Sequence, residues 1–161
     1  MKFIATLDEA FEFLTPEEAV GACLITDPRL PDNPIIYATA EFERVSGYQR
    51  AELLGRNCRI LQGADSDQEE LARIRQALWD MEPVSAVVTN YRKDGSPFRN
   101  AFSVRPCFGP AGDLRSFVSV HGGATAFDGF APTAPRRHVG SGVSGLSARS
   151  SMSALSSPPR Q

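Results

Sequence analysis

The chain has 161 residues, 42% of them hydrophobic, and a formal net charge of −2. That size and apolar content suit one globular domain plus some extra sequence, and no apolar run approaches the length needed to span a bilayer. All 19 acidic side chains lie at or before Asp128, with 13 of the 17 Lys and Arg, so residues 1–128 carry about −6 and make a poor surface for nucleic acid.

The N-terminus, MKFIATLDEAFEFL, has no long apolar core and is acidic early, so it does not read as a secretory leader. TLDEAFEFL opens with a capping pattern, Thr6 with Glu9, and the spacing puts Phe3, Leu7, Phe11 and Leu14 near one face of a helix. TPEE repeats the capping signal. AVGACLIT predicts a buried strand, PRLPDNP a turn-rich loop and IIYAT a second strand. Two short helical pieces follow, AEFERVSG stopped by Gly47 and QRAELLG stopped by Gly55. SDQEELARIRQALWDM predicts the longest helix, with Ser66 and Glu69 as its capping box and Leu71, Ile74 and Leu78 as its apolar stripe.

The next segments predict three strands. VSAVVTNYR and PFRNAFSVRPCF are joined by KDGS, whose Asp-Gly marks a hairpin, and GPAGDL turns the chain into RSFVSVHGG. Two strands, several short helices and three longer antiparallel strands predict an α+β domain with helices on one face of a single sheet. Residues 129–161 are rich in Ser, Gly, Ala and Pro and hold few large apolar side chains, which predicts a disordered tail.

Some polar residues stand where the pattern predicts burial. GRNCRILQG, residues 55–63, sets Cys58 among Asn57, Arg59 and Gln62. Arg75 flanks the long helix's stripe, and Asn90 and Asn100 sit inside strands, where Asn is disfavoured. Two carboxamides suit the edge of a planar ligand, and two arginines suit a phosphate. Each feature also has an ordinary explanation: a solvated Arg, a turn-facing Asn, a small buried thiol. Cys23, Cys58 and Cys107 are odd in number and lack metal spacing, so free thiols in the cytoplasm are expected rather than disulfides. Two histidines give a zinc site little to work with.

GRNCRILQG closely resembles GxNCRFLQ, the flavin-binding signature of LOV (light-oxygen-voltage) domains, a photosensory branch of the PAS fold. It differs at Ile60, where Phe is usual. ITDPRLPDNP, NYRKDGSPFRN and FVSV resemble further LOV segments in the same order, from Glu18 to Thr125. The resemblance implies a five-stranded antiparallel PAS sheet with short helices on one face. It divides the chain into an N-terminal helical extension at 1–17, the LOV domain at 18–125 and a disordered tail at 126–161.

The resemblance also implies roles. Cys58 corresponds to the thiol that adds reversibly to flavin C4a after blue-light excitation. Arg59 and Arg75 correspond to the pair that grips the phosphate of FMN, which favours FMN over FAD. Asn57 and Gln62 correspond to residues bonding the ribityl chain and the thiol's surroundings, and Asn90 and Asn100 to carboxamides at the pyrimidine edge. Thr26 and Asn33 correspond to polar pocket residues. Leu24, Leu61, Leu71, Ile74, Leu78, Val88, Phe102, Val104 and Phe117 correspond to apolar walls.

Two departures stand on the last strand. Ser119 replaces a usual Gly. His121 stands where the family has a Gln facing flavin N5 and O4, and an imidazole there differs in shape and can change charge near neutral pH.

The expected function is a blue-light photoreceptor of the short LOV class, a sensor with no effector domain and not an enzyme. Its signal would pass by dimerisation through the N-terminal helix or by a separate partner. Two other readings stay open from the residues: a flavin-based redox sensor that needs no light, and a PAS interaction module without cofactor.

Overall fold

The computed structural model describes residues 2–122. The tail expected at 126–161, and the end of the domain expected at 125, lie outside the described residues. Among the described residues no helix is long and apolar enough to cross a membrane.

The elements in chain order are α1 (Leu7–Ala10), α2 (Pro16–Val20), β1 (Ala22–Thr26), β2 (Ile35–Ala38), α3 (Ala40–Ser46), α4 (Arg50–Leu53), a 3₁₀ turn (Cys58–Leu61), α5 (Gln68–Trp79), β3 (Val84–Tyr91), β4 (Pro97–Phe108) and β5 (Leu114–Gly122). The strands form one sheet in the order β2-β1-β5-β4-β3. The pairings β1–β2, β1–β5, β3–β4 and β4–β5 are antiparallel. This is the α+β, five-stranded antiparallel architecture expected.

Strand periodicity divides the sheet into two compartments. In β3, Val84, Ala86, Val88 and Asn90 are buried and alternate with half-buried neighbours. The register places Ala22, His121, Phe102 and Ala86 in one row across four strands, and Leu24, Ser119, Val104 and Val84 in the next. This face meets the helices: Leu71 and Ile74 of α5 pack with Val88, Val104 and Phe117. Phe42 of α3, Leu53 of α4 and Leu61 pack with Ala22 and Leu24. The opposite face, through Cys23, Ile25 and Val118, packs on Ile4, Ala10 and Leu14. The N-terminal segment thus covers the back of the sheet.

Both N-terminal capping boxes form as the sequence predicts, Thr6 with Glu9 and Thr15 with Glu18. The first helix is shorter than expected, however, because the next cap and Pro16 leave it no room to continue. The expected single face also splits. Leu14 is buried with Ile4 and Ala10, whereas Phe3, Leu7 and Phe11 are 37%, 46% and 43% exposed. A second correction concerns α5. Its cap is Asp67, whose carboxylate accepts from the Glu69 and Glu70 amides, not Ser66. The Ser66 hydroxyl instead donates to the Thr89 carbonyl at 2.7 Å and accepts from the Gly63 amide, tying this loop to β3.

The hairpin from β3 to β4 turns over Arg92–Ser96. Gly95 has φ +84°, while Asp94 is not left-handed, so the connection is longer than a two-residue turn with two positive φ angles. Asp94 steadies it by accepting from the Ser96 amide at 2.8 Å.

Candidate functional site: a thiol-lined cavity between sheet and helices

A cavity of about 150 Å³ lies between the inner face of the sheet, the 3₁₀ turn and α5. Its polar lining comprises Thr26, Asn33, Asn57, Cys58, Arg59, Gln62, Arg75, Asn90, Asn100, Ser119 and His121. Leu61, Leu71, Ile74, Leu78, Val88, Phe102, Val104 and Phe117 make its apolar walls. Every candidate site residue named from the sequence but one therefore reaches one space. Leu24 does not: it is fully buried against Phe42 and Leu53, so its place is the core beside the cavity rather than the wall.

The thiol end is built by local capping. Asn57 precedes the 3₁₀ turn, and its Oδ1 accepts from the Arg59 amide at 3.0 Å. Its Nδ2 donates to the Asp32 carbonyl at 2.7 Å. Arg59 then forms a two-pronged ion pair with Asp32, its Nη1 donating to Oδ1 at 2.8 Å. Gln62 closes the turn through its amide, which donates to the Arg59 carbonyl at 2.9 Å. Cys58 sits on a turn fixed at both ends. Burial pushes its thiol up to about 12, against smaller pulls downward from its own backbone amide and the Arg59 charge. It is therefore a neutral thiol at ordinary pH, as expected where no Lys or His adjoins it.

Asp32 is the residue that sequence reasoning missed. It and Asn33 both take positive φ, 67° and 45°. Asp and Asn are among the few side-chain-bearing residues that tolerate this, so the DN pair inside PRLPDNP carried the signal. The double left-handed turn aims Asn33 inward. Its Oδ1 is buried and has no partner among the described residues. A buried carbonyl oxygen left unpaired is costly, so this atom marks a place where a ligand donor belongs.

The sheet supplies the far wall. Asn90 and Asn100 are each 4% exposed, and the Asn100 Nδ2 donates to Asn90 Oδ1 at 2.7 Å. His121 Nδ1 stands 3.1 Å from Asn100 Oδ1, and His121 Nε2 stands 3.0 Å from the Ser119 hydroxyl. Phe42 meets the imidazole edge-on at 4.8 Å and Phe102 stacks on it at 5.3 Å. Enclosure by these rings, with no acid beside it, pushes His121 down to about 3. His121 faces the cavity and does not merely pack on its margin.

Arg75, from α5, lines the cavity, is exposed and makes no ion pair with described residues, unlike Arg59. The cavity lining thus combines an exposed guanidinium, Arg75, a neutral thiol and a pair of carboxamides, with Arg59 neutralised by Asp32.

Comparison with known proteins places this arrangement. The PAS domain family profile matches residues 21–121. The chain belongs to the PAS domain family, in its LOV branch. Among the relatives of this LOV domain, rice (Oryza sativa subsp. japonica) phototropin-2 is 43% identical over 97 residues, which are 60% of this chain and 11% of the phototropin. A blue-light photoreceptor of Listeria monocytogenes is 45% identical over 85 residues, 53% of this chain and 34% of that protein. The chain therefore spans a tenth to a third of these relatives. Among solved structures, the dark form of the LOV domain of the blue-light photoreceptor aureochrome1 superposes with a TM-score of 0.63 at 35% identity, covering 76% of this chain and 85% of that one. The LOV domain of the Erythrobacter litoralis blue-light activated histidine kinase EL346 gives 0.61 at 34% identity, covering 63% and 94%.

Proposed function

We propose that this LOV domain is a blue-light photosensor that holds FMN in the cavity between sheet and helices, with Cys58 as the reacting thiol. One observation carries the reading: a neutral thiol, a buried carboxamide pair and an unpartnered Asn33 oxygen line the same cavity. When bound, the flavin supplies blue-light absorption and, on excitation, a ring carbon that a thiol can attack.

The chain's own residues do the rest. Asn90 and Asn100 offer amide edges to the polar rim of a ring, and Phe102, Phe117, Leu61 and Ile74 supply flat apolar walls that exclude water. Thr26, Asn33, Asn57 and Gln62 offer partners to a polyol chain, and Arg59 and Arg75 meet a terminal phosphate at the mouth. A phosphate that ends at the opening suits FMN better than a dinucleotide. The 3₁₀ turn holds Cys58 in place, so that the thiol reacts as an intramolecular neighbour rather than by encounter. A raised thiol pKa also argues against the redox alternative, since oxidation-prone cysteines are thiolates.

The cycle returns the thiol and releases no product, so the module is a sensor and not a catalyst. Three free cysteines suit a reducing, cytoplasmic setting. The exposed Phe3, Leu7 and Phe11 surface is the place for a second copy or a separate signalling partner.

Blue-light difference spectroscopy tests the reading. The purified full chain should be yellow, bleach near the blue band under illumination and recover in darkness. Cys58→Ala should stay yellow and lose the bleach. A bleach of the same form in Cys58→Ala overturns the assignment of the thiol.

A further inference from the structure

The hydrogen bonds around His121 form a chain with a single allowed direction. It begins with the Thr89 carbonyl, which can only accept. Asn90 Nδ2 donates to it at 3.3 Å, alongside the Ser66 hydroxyl. Asn90 Oδ1 is therefore free to accept, and it accepts Asn100 Nδ2 at 2.7 Å. That leaves Asn100 Oδ1, again an acceptor only, facing His121 Nδ1 at 3.1 Å. Nδ1 must then carry the proton. A neutral imidazole has one N–H, so Nε2 holds a lone pair, and the Ser119 hydroxyl at 3.0 Å must donate to it. The carbonyl end of the chain has no second orientation, so it fixes the direction of every bond that follows.

From this geometry we propose that the Asn90–Asn100 pair locks His121 in its Nδ1-protonated tautomer, and that His121 therefore meets a bound ring through Nε2 as an acceptor only. The inference rests on the flavin reading only for the identity of the ring. A carboxamide at this position can present either its oxygen or its nitrogen by turning over. The imidazole cannot: reversing it requires a proton to move and every bond back to Thr89 to reverse. Its tilt is also held, by Phe42 on one side and Phe102 on the other. The titratable groups that share the cavity are Cys58, Arg59 and Arg75. None is a carboxylate that would draw a second proton onto the ring.

The consequence is selectivity between two states of a ligand atom. A ring nitrogen that is an acceptor gains nothing from Nε2. A ring nitrogen that has become N–H can displace the Ser119 hydroxyl and donate to Nε2. The released Ser119 hydroxyl, buried on β5, must then find another partner, so the exchange is felt in the strand itself.

Imidazole ¹⁵N nuclear magnetic resonance on the full chain tests the proposal directly. In the wild type, with or without added FMN in the dark, His121 should show a protonated Nδ1 and an unprotonated Nε2 across neutral pH. Asn100→Ala should remove the lock and give a mixed or Nε2-protonated pattern. Ser119→Ala should keep the tautomer and shift only the Nε2 resonance, and Ser119→Thr should restore that shift. A wild-type ring protonated on Nε2, or a pattern unchanged in Asn100→Ala, overturns the proposal. Because the wild-type spectrum stands alone, a misfolded variant does not shield it. A chain that takes up no FMN would defeat the photosensor reading and leave the tautomer result standing.

Discussion

Burial holds two side chains in the cavity uncharged over a wider pH range than in water: Cys58 as a thiol and His121 as a neutral ring. For His121 this has a pH consequence with a definite sign. The unfolded imidazole takes its proton near the ordinary value of about 6.5, whereas the folded ring resists protonation until about 3. Between these values the unfolded chain binds more protons, so stability from this group is complete above the higher value and is lost as pH falls. Thermal melts at pH 7.5 and 5 should show a larger drop in Tm for the wild type than for His121→Gln. Equal drops would mean that the ring is hydrated in the folded chain. At this scale GRNCRILQG, Asn90 and Asn100 were legible because each is the wrong residue type for its local structure. Asp32 was legible only as half of a DN turn signal, because its pairing with Arg59 joins residues 27 apart, which no spacing rule reports.

The elements were legible wherever a single period decides them. β4 starts and stops with PFRNAFSVRPCF, and β3 ends one residue short of VSAVVTNYR. Caps were harder, since Ser66 and Asp67 are both good N-caps one residue apart. The choice is made by tertiary structure, because the Thr89 carbonyl on β3 engages the Ser66 hydroxyl. Asp67→Ala should therefore cost about 1 kcal/mol in urea unfolding. A silent Asp67→Ala would return the cap to Ser66. α5 carries Ile74 and Arg75 to the cavity, so weakening its first turn should also loosen ligand retention.

Among the described residues, the N-terminal segment is held to the sheet by apolar packing, by the Ile4 amide donating to the Ile36 carbonyl at 3.1 Å, and by the Arg105 guanidinium. Arg105 of β4 donates to the Phe13 carbonyl at 2.8 Å and to Glu18 Oε2 at 2.8 Å, with Cys107 Sγ 3.0 Å from its other nitrogen. Beneath this clamp lies Cys23, fully buried, its thiol pushed up to about 12 by burial and by Glu18. Arg105→Ala should let the segment lift and speed alkylation of Cys23 several-fold, followed by mass spectrometry; an unchanged rate would show that Ile4, Ala10 and Leu14 suffice to hold it. Sequence patterning foresaw the segment's helix but not its division, because a four-residue helix shows too little of its period to say which side faces inward. The strand that separates the two compartments is β5. Phe117, Ser119 and His121 belong to the cavity, while Ser116, Val118 and Val120 belong to the back. Such a strand can accept replacements one at a time. It cannot accept a change of length. Deleting one residue would send an imidazole into the apolar back layer and a valine to the carboxamides, spoiling both compartments at once. Diversity along this strand is therefore open to substitution and closed to insertion and deletion.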